Sequence, residues 1–274
     1  MEMQIKAFQK KVWDFYKKNK RKLPWRETKD PYRIWVSEIM LQQTQVDRVI
    51  PKYNAFLKKF PTIEKLASAK QSDVLLLWSG LGYNRRALLL KRAAETVVRD
   101  HKGKIPKEVT ELEKLPGIGP YTARAIATFS YNQPHAFIET NIRSVFIREF
   151  FPKSKNVSDT KLFPLIEKTL DAKNAREWGY ALMDYGSYLK KEFGNPNTKS
   201  KQYTKQSKFT GSDRQIRGAI IKTILTEKNI TKKKLYQLLS RYEEKRINAQ
   251  LQALTEEGFV VCKGEKVAVL ENRK

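Results

Sequence analysis

The chain has 274 residues, enough for one large domain or two ordinary ones, and 40% of them are hydrophobic, which excludes a disordered chain. Lys and Arg number 55 against 29 Asp and Glu, and the resulting net charge of +26 makes nucleic acid the leading partner and an anionic membrane surface the second. One cysteine, Cys262, and two histidines, His101 and His135, exclude internal disulfides, Cys/His zinc fingers and four-cysteine iron–sulfur sites.

From the N-terminus, Ile5, Phe8, Val12 and Phe15 recur at helical spacing and predict a first amphipathic helix. It is rich in lysine and lacks a signal-type apolar core, and no segment reaches membrane-spanning length. "LPWRETKDPY" follows as a Pro-rich loop. A long helix is then expected from about Ile34 to Phe60, interrupted near Pro51. Short helices are expected at 62–69, 72–79 and 84–100. Thr110 and Glu113 match a capping box for the next, which ends at Leu115-Pro116, and another starts at Pro120. Helical patterns continue over 141–150, 160–171 and 174–191. Residues 191–210 are polar and lysine-rich and predict a basic linker. Three more helical patterns, near 214–227, 231–241 and 244–257, precede "GFVVCKGEKVAVLE", two alternating runs around a Lys-Gly-Glu turn. Three helices and a hairpin are the order of a winged helix, so 211–274 is expected to be a separate small α+β domain. "TKKKLYQLLSRYEEKR" within it is basic enough to favour DNA over protein as its partner.

Within "LPGIGPYTA", Gly117 and Gly119 allow a sharp turn around Ile118 between two helices and leave N–H groups suited to a phosphate oxygen, although a turn of this kind alone can be structural. Glu139 sits at a helix start just before Thr140, a plausible N-cap; ordinary capping is the alternative to a functional anion. Glu38 stands one turn after Trp35, where burial would raise its pKa; a glutamate with its head in water is the alternative. One proton donor and one anion suit glycosidic cleavage through an oxocarbenium-like state. Tyr121 can position a base or a water, or be a buried aromatic.

"LPWRETKDPYRIWVSEIMLQQTQVDRVIP", "WSGLGYNRRA", "LPGIGPYTARA" and "IETNIRSV" together resemble the adenine DNA glycosylase (MutY) family of the helix-hairpin-helix (HhH-GPD) superfamily, over about residues 10 to 190. The resemblance implies an all-α, two-lobed glycosylase domain over residues 1–190, with DNA between the lobes and the target base flipped into a pocket. By the same resemblance Glu38 is the general acid toward the purine. Tyr121 is the active-site tyrosine that replaces the lysine of Schiff-base-forming relatives such as endonuclease III. Asn141 lies by the catalytic water, Trp25 and Arg26 line the base pocket, and Gln43 fills the opened helix.

The chain departs from that family at named positions. Glu139 stands for an aspartate and Thr140 for the glycine after it. Tyr180 stands where a carboxylate or amide helps recognise adenine. Asn84, after Tyr83, replaces the second tyrosine of "GLGYY". The four cluster cysteines are missing, with Lys190 at the first, and the winged helix stands in for the domain that inspects 8-oxoguanine. The reading is a monofunctional glycosylase of base excision repair, without Schiff-base lyase activity and without an iron–sulfur cluster. It would be cytoplasmic, nucleoid-associated in a prokaryote, and a monomer on double-stranded DNA. Its expected substrate is adenine opposite guanine or 8-oxoguanine. The alternatives are thymine, uracil or hypoxanthine as the excised base, or a non-catalytic DNA-structure-binding protein.

Overall fold

The structure, a computed structural model, describes residues 2–227 and 230–271. Fourteen α-helices lie among them: α1 Glu2–Asn19, α2 Pro31–Leu41, α3 Val46–Lys59, α4 Ile63–Ala67, α5 Gln71–Trp78, α6 Arg85–His101, α7 Val109–Leu112, α8 Pro120–Tyr131, α9 Thr140–Phe150, α10 Asp159–Lys168, α11 Ala175–Phe193, α12 Asp213–Glu227, α13 Lys232–Leu238 and α14 Glu244–Glu256. Three short strands, β1 Ile230–Thr231, β2 Val260–Lys263 and β3 Lys266–Val269, form an antiparallel sheet in the order β1-β3-β2, with Cys262 opposite Val267. No helix among the described residues is long and apolar enough to cross a membrane.

The chain divides into two compact units. One comprises the residues up to Glu38 together with Ile105–Lys205; the other comprises Ile39–Lys104 together with the residues from Gln206 on.

In the first unit, α11 is the central helix. Trp178, Tyr180, Leu182, Tyr185 and Leu189 are buried along it, and Phe8 of α1 meets Trp178 edge-on at 6.1 Å. The buried stripe of α1 is Phe8, Val12 and Tyr16, an i, i+4 series. Phe15 is only partly buried and packs on Tyr185 and Tyr188. At Gly186, α11 approaches α9 so closely that a Cβ would lie 2.2 Å from the carbonyl oxygen of Asn141, so only glycine fits. Part of the expected linker belongs to this unit. Asn197 is buried and its Nδ2 donates to Thr140 O and Ser144 Oγ, while Val157 and Ser200 form an isolated parallel bridge.

The second unit contains α3–α6 and the C-terminal elements. Phe56 packs edge-on against Phe60 and Trp78, and Ile216, Ile220, Ile224, Leu235, Leu251 and Phe259 are buried among the C-terminal elements. Lys70, at the N-cap of α5, offers no side-chain cap; Glu271 does so instead, its carboxylate accepting from Gln71 N at 2.8 Å and Ser72 N at 3.2 Å. Gln71 Nε2 in turn donates to Gly258 O at 2.9 Å.

Three local expectations are corrected. The helix expected over 34–60 is broken at 42–45, and Pro51 lies inside α3. The break has a tertiary cause: Arg86 Nη1 donates to the carbonyls of Ile39, Met40 and Gln42, taking up the last acceptors of α2. The Thr110–Glu113 capping box does not form, because α7 starts two residues earlier, with Glu108 at its N-cap. The C-terminal region has a third strand, β1. It is only two residues long, too short for alternation to show, and its Thr231 caps α13 by accepting from Lys234 N.

Candidate active site

Glu38 lies in α2 one turn after the fully buried Trp35 and is itself 6% exposed. The helix start is fixed by Pro31 in its first turn and by Asp30, whose Oδ1 accepts from Tyr32 N at 2.9 Å. Burial pushes the Glu38 pKa up to about 7, and the charge of Glu139 adds to the rise. A hydrogen bond from Tyr121 and the charge of Arg26 oppose it. Tyr121 Oη donates to Glu38 Oε2 at 2.9 Å, and the tyrosine ring meets Phe137 edge-on at 5.8 Å. Burial, then the two carboxylates, hold the phenol well above its ordinary pKa, so it stays a donor.

Glu139, not Thr140, is the N-cap of α9: its backbone is extended, and its Oε1 accepts from Ile142 N at 2.7 Å. A carboxylate on the cap reaches the third amide of the helix directly, which leaves Thr140 as the first helical residue. Oε2 accepts from Asn141 Nδ2 at 3.1 Å. Burial raises the Glu139 pKa, against the pull of the Asn141 and Ile142 amides and of the Lys190 and Arg143 charges. The structure therefore pairs Tyr121 with Glu38 and Asn141 with Glu139, and the charge of Glu139 acts on both members of the first pair.

Trp25, Arg26 and Tyr180 are all buried, and the charge of Arg26 acts on Glu38 as that of Glu38 acts on Tyr180. The Arg26 guanidinium forms a bidentate pair with Asp184, both bonds at 2.8 Å, and lies 4.5 Å from the Tyr180 ring centroid. Tyr180 stacks on Phe129 with centroids 4.4 Å apart, and burial, then the Glu38 charge, raises its pKa. The fork of Arg26 is thus occupied by Asp184, a residue that the sequence motifs do not single out. A signal is present all the same: Asp184 is one helical turn after Tyr180. Lys190, one turn beyond Gly186, enters the sequence reading only as a missing cysteine. In the structure it is an amine whose charge acts on Glu139 while burial lowers its own pKa.

In the hairpin before α8, Gly117 is left-handed at φ 78°, whereas Gly119, with φ −97°, is not, so the turn requires only the first glycine. A Cβ at Gly119 would meet nothing within 4 Å, so that glycine leaves open space at the helix start. Ile118 is buried and its N–H donates to Leu115 O, so its own amide is not available to a phosphate. Gln43, Tyr83 and Asn84 belong to the second unit. Gln43 and Tyr83 are exposed, and Asn84 begins α6 without a side-chain cap.

A four-cysteine cluster needs four thiolates, and the one cysteine, Cys262, lies in β2. The residues present do not fit such a cluster.

Among solved structures, that of a thermostable thymine-DNA glycosylase matches with a TM-score of 0.61 and 26% identity, over 68% of this chain and 87% of that one. Among curated proteins, the adenine DNA glycosylase of Buchnera aphidicola subsp. Baizongia pistaciae is 38% identical over 188 residues, 67% of this chain and 53% of its own. The chain therefore spans about half the length of that relative. The adenine DNA glycosylase of Mycobacterium tuberculosis is 33% identical over 234 residues, 76% of this chain and 75% of its own. The profile of the HhH-GPD superfamily base excision DNA repair proteins matches residues 36–244, and the chain belongs to that family.

Proposed function

We propose that the protein is a monofunctional DNA glycosylase that flips adenine out of a mispair with guanine or 8-oxoguanine and hydrolyses its N-glycosidic bond. The observation that carries the reading is the pair of carboxyls of unlike environment: Glu38 in an apolar pocket, and Glu139 on a helix N-terminus with two N–H donors. Glu38 gives its proton to the departing purine, so the C1′–N bond breaks with the electron pair leaving on the base. The Glu139 anion faces the oxocarbenium ion, and with Asn141 it aims the water that closes C1′. Tyr121 holds Glu38 in place through its hydroxyl. No amine occupies the Tyr121 position, in keeping with hydrolysis rather than Schiff-base lyase chemistry. The open space at Gly119 and the positive end of α8 suit a DNA phosphate. Double-stranded DNA is the partner, and the protein works as a monomer without a metal cluster.

Thymine is the second reading, favoured by the likeness to a thymine-DNA glycosylase and by Tyr180 in place of a group that would hydrogen-bond adenine. Single-turnover base release on duplexes carrying adenine, thymine, uracil or hypoxanthine opposite guanine, and adenine opposite 8-oxoguanine, tests both. Glu38→Gln is expected to abolish release while leaving DNA affinity nearly intact. Release from no duplex would point to a DNA-binding protein without activity, and undiminished release by Glu38→Gln would remove Glu38 as the acid.

A further inference from the structure

Lys190 is a cation of the first unit that the chemistry above does not use. It stands one turn after Gly186 in α11, so the two share a face of that helix. This face meets the start of α9, where the Cα of Gly186 lies against the backbone of Asn141 with no room for a Cβ. A helical side chain covers the turn N-terminal to its own Cα, so the stem of Lys190 runs back over the level of Gly186. Glu139 caps α9 at that same end. Lys190 is partly buried there, and among the described residues it forms no hydrogen bond and no ion pair.

An ammonium leaves water only where an anion compensates it, and the anion at hand is Glu139. The two charges act on each other: Lys190 favours the ionised carboxylate, and Glu139 the ionised amine, against burial of both. The other groups around Glu139 are committed elsewhere. Arg143, in α9 itself, also favours the anion, but Asp159 of α10 holds it through bonds of 2.7 and 2.8 Å. Arg21, which acts on Lys190, is bonded to Asp184. Glu38 of α2 and Tyr121 of α8 are acids on which the Glu139 charge acts, and Asn197 brings only a neutral amide. Lys190 therefore differs from Arg143 and Arg21 in having no carboxylate of its own. Where water is scarce a charge is felt beyond contact distance, so Lys190 need not touch Glu139 to act on it.

We infer that Lys190 is a positioning residue of the glycosylase site, the counter-cation that holds Glu139 as an anion toward the sugar while Glu38 keeps its proton. The inference rests on the glycosylase reading. Its test is the pH profile of single-turnover base release from the duplex cleaved fastest, with DNA affinity and melting temperature measured on the same proteins. Lys190→Met keeps the stem and removes the charge. It is expected to move the acid limb up by about one pH unit, a loss of about tenfold on the acid side, and to leave the alkaline limb of Glu38 in place. Lys190→Gln should do the same, whereas Lys190→Arg should hold the acid limb near its wild-type position.

An acid limb unmoved in both neutral variants would overturn the inference. So would an equal loss at every pH, which would make Lys190 a packing residue. A fall in affinity with a flatter salt dependence and an unmoved limb would overturn it in favour of a phosphate contact. Wild-type protein that releases no base would instead remove the glycosylase reading, and the role of Lys190 would then be decided without turnover. In an NMR titration of the glutamate carboxyl carbons, the Glu139 signal is assigned by its loss in Glu139→Gln. Its midpoint should rise by about one unit in Lys190→Met and stay in place in Lys190→Arg. A wild-type midpoint in Lys190→Met would overturn the inference.

Discussion

At Glu38, burial sets the working pH range and the hydrogen bond from Tyr121 trims it. The Glu38 pKa lies at about 7, so the carboxyl is protonated below neutrality and ionises above it. Base release that needs this proton should fall as pH rises through 7. Glu139 must be ionised, and burial raises its pKa, so release should also fall on the acid side, giving a bell-shaped single-turnover profile. Because the Tyr121 hydroxyl stabilises the ionised form of Glu38, Tyr121→Phe should move the alkaline limb to higher pH. An unmoved limb would dissociate the hydroxyl from the acid. Stability follows the same sign. The folded pKa of Glu38 exceeds the unfolded one, so its contribution is present in acid and lost as pH rises through 7. The spacing from Trp35 is enough to raise burial of Glu38 as a possibility. The bond to Tyr121, 83 positions away, is not legible in the sequence, because nothing local encodes it.

The helices themselves are mostly legible, since their apolar periods agree with their burial. The exceptions are set by distant groups. The break after α2 depends on the guanidinium of Arg86, and the start of α5 on the carboxylate of Glu271. Glu139 reads as a helix-terminal carboxylate in the sequence, yet the cap falls on it rather than on Thr140, a one-residue difference that propensity alone cannot resolve. The approach that places Glu139 and Asn141 is invisible there: the bare Cα face of Gly186 against the Asn141 backbone. Gly186→Ala should push α9 away from α11. Misplacing a catalytic constellation by about 1 Å can cost about a hundredfold in rate, and overpacking typically costs about 1–3 kcal/mol. A large fall in single-turnover release with a modest fall in melting temperature is therefore expected. A normal rate would show that the close approach does not position the site.

At the scale of the molecule, the charge of +26 predicts DNA affinity that falls steeply with salt. The question is which lysines carry the slope. Lys232, Lys233 and Lys234 open α13, with the last two exposed. If this helix lies on DNA, replacing all three with alanine should flatten the log–log salt dependence by about one for each phosphate no longer neutralised. An unchanged slope would put the C-terminal elements off the duplex. The interleaving of the two units also imposes an order on synthesis. The amides of Gln71 and Ser72 leave the ribosome about two hundred residues ahead of the Glu271 carboxylate that receives them. At about 5–20 residues per second, that is roughly 10–40 s of waiting. The unit that closes with Lys205 has all its residues before the other one does. During the wait α5 has an uncapped start, and until α12 has been made the side that meets it is uncovered as well. A nascent chain halted between residues 205 and 271 should therefore be open to proteolysis within 39–104 while its first unit already resists it.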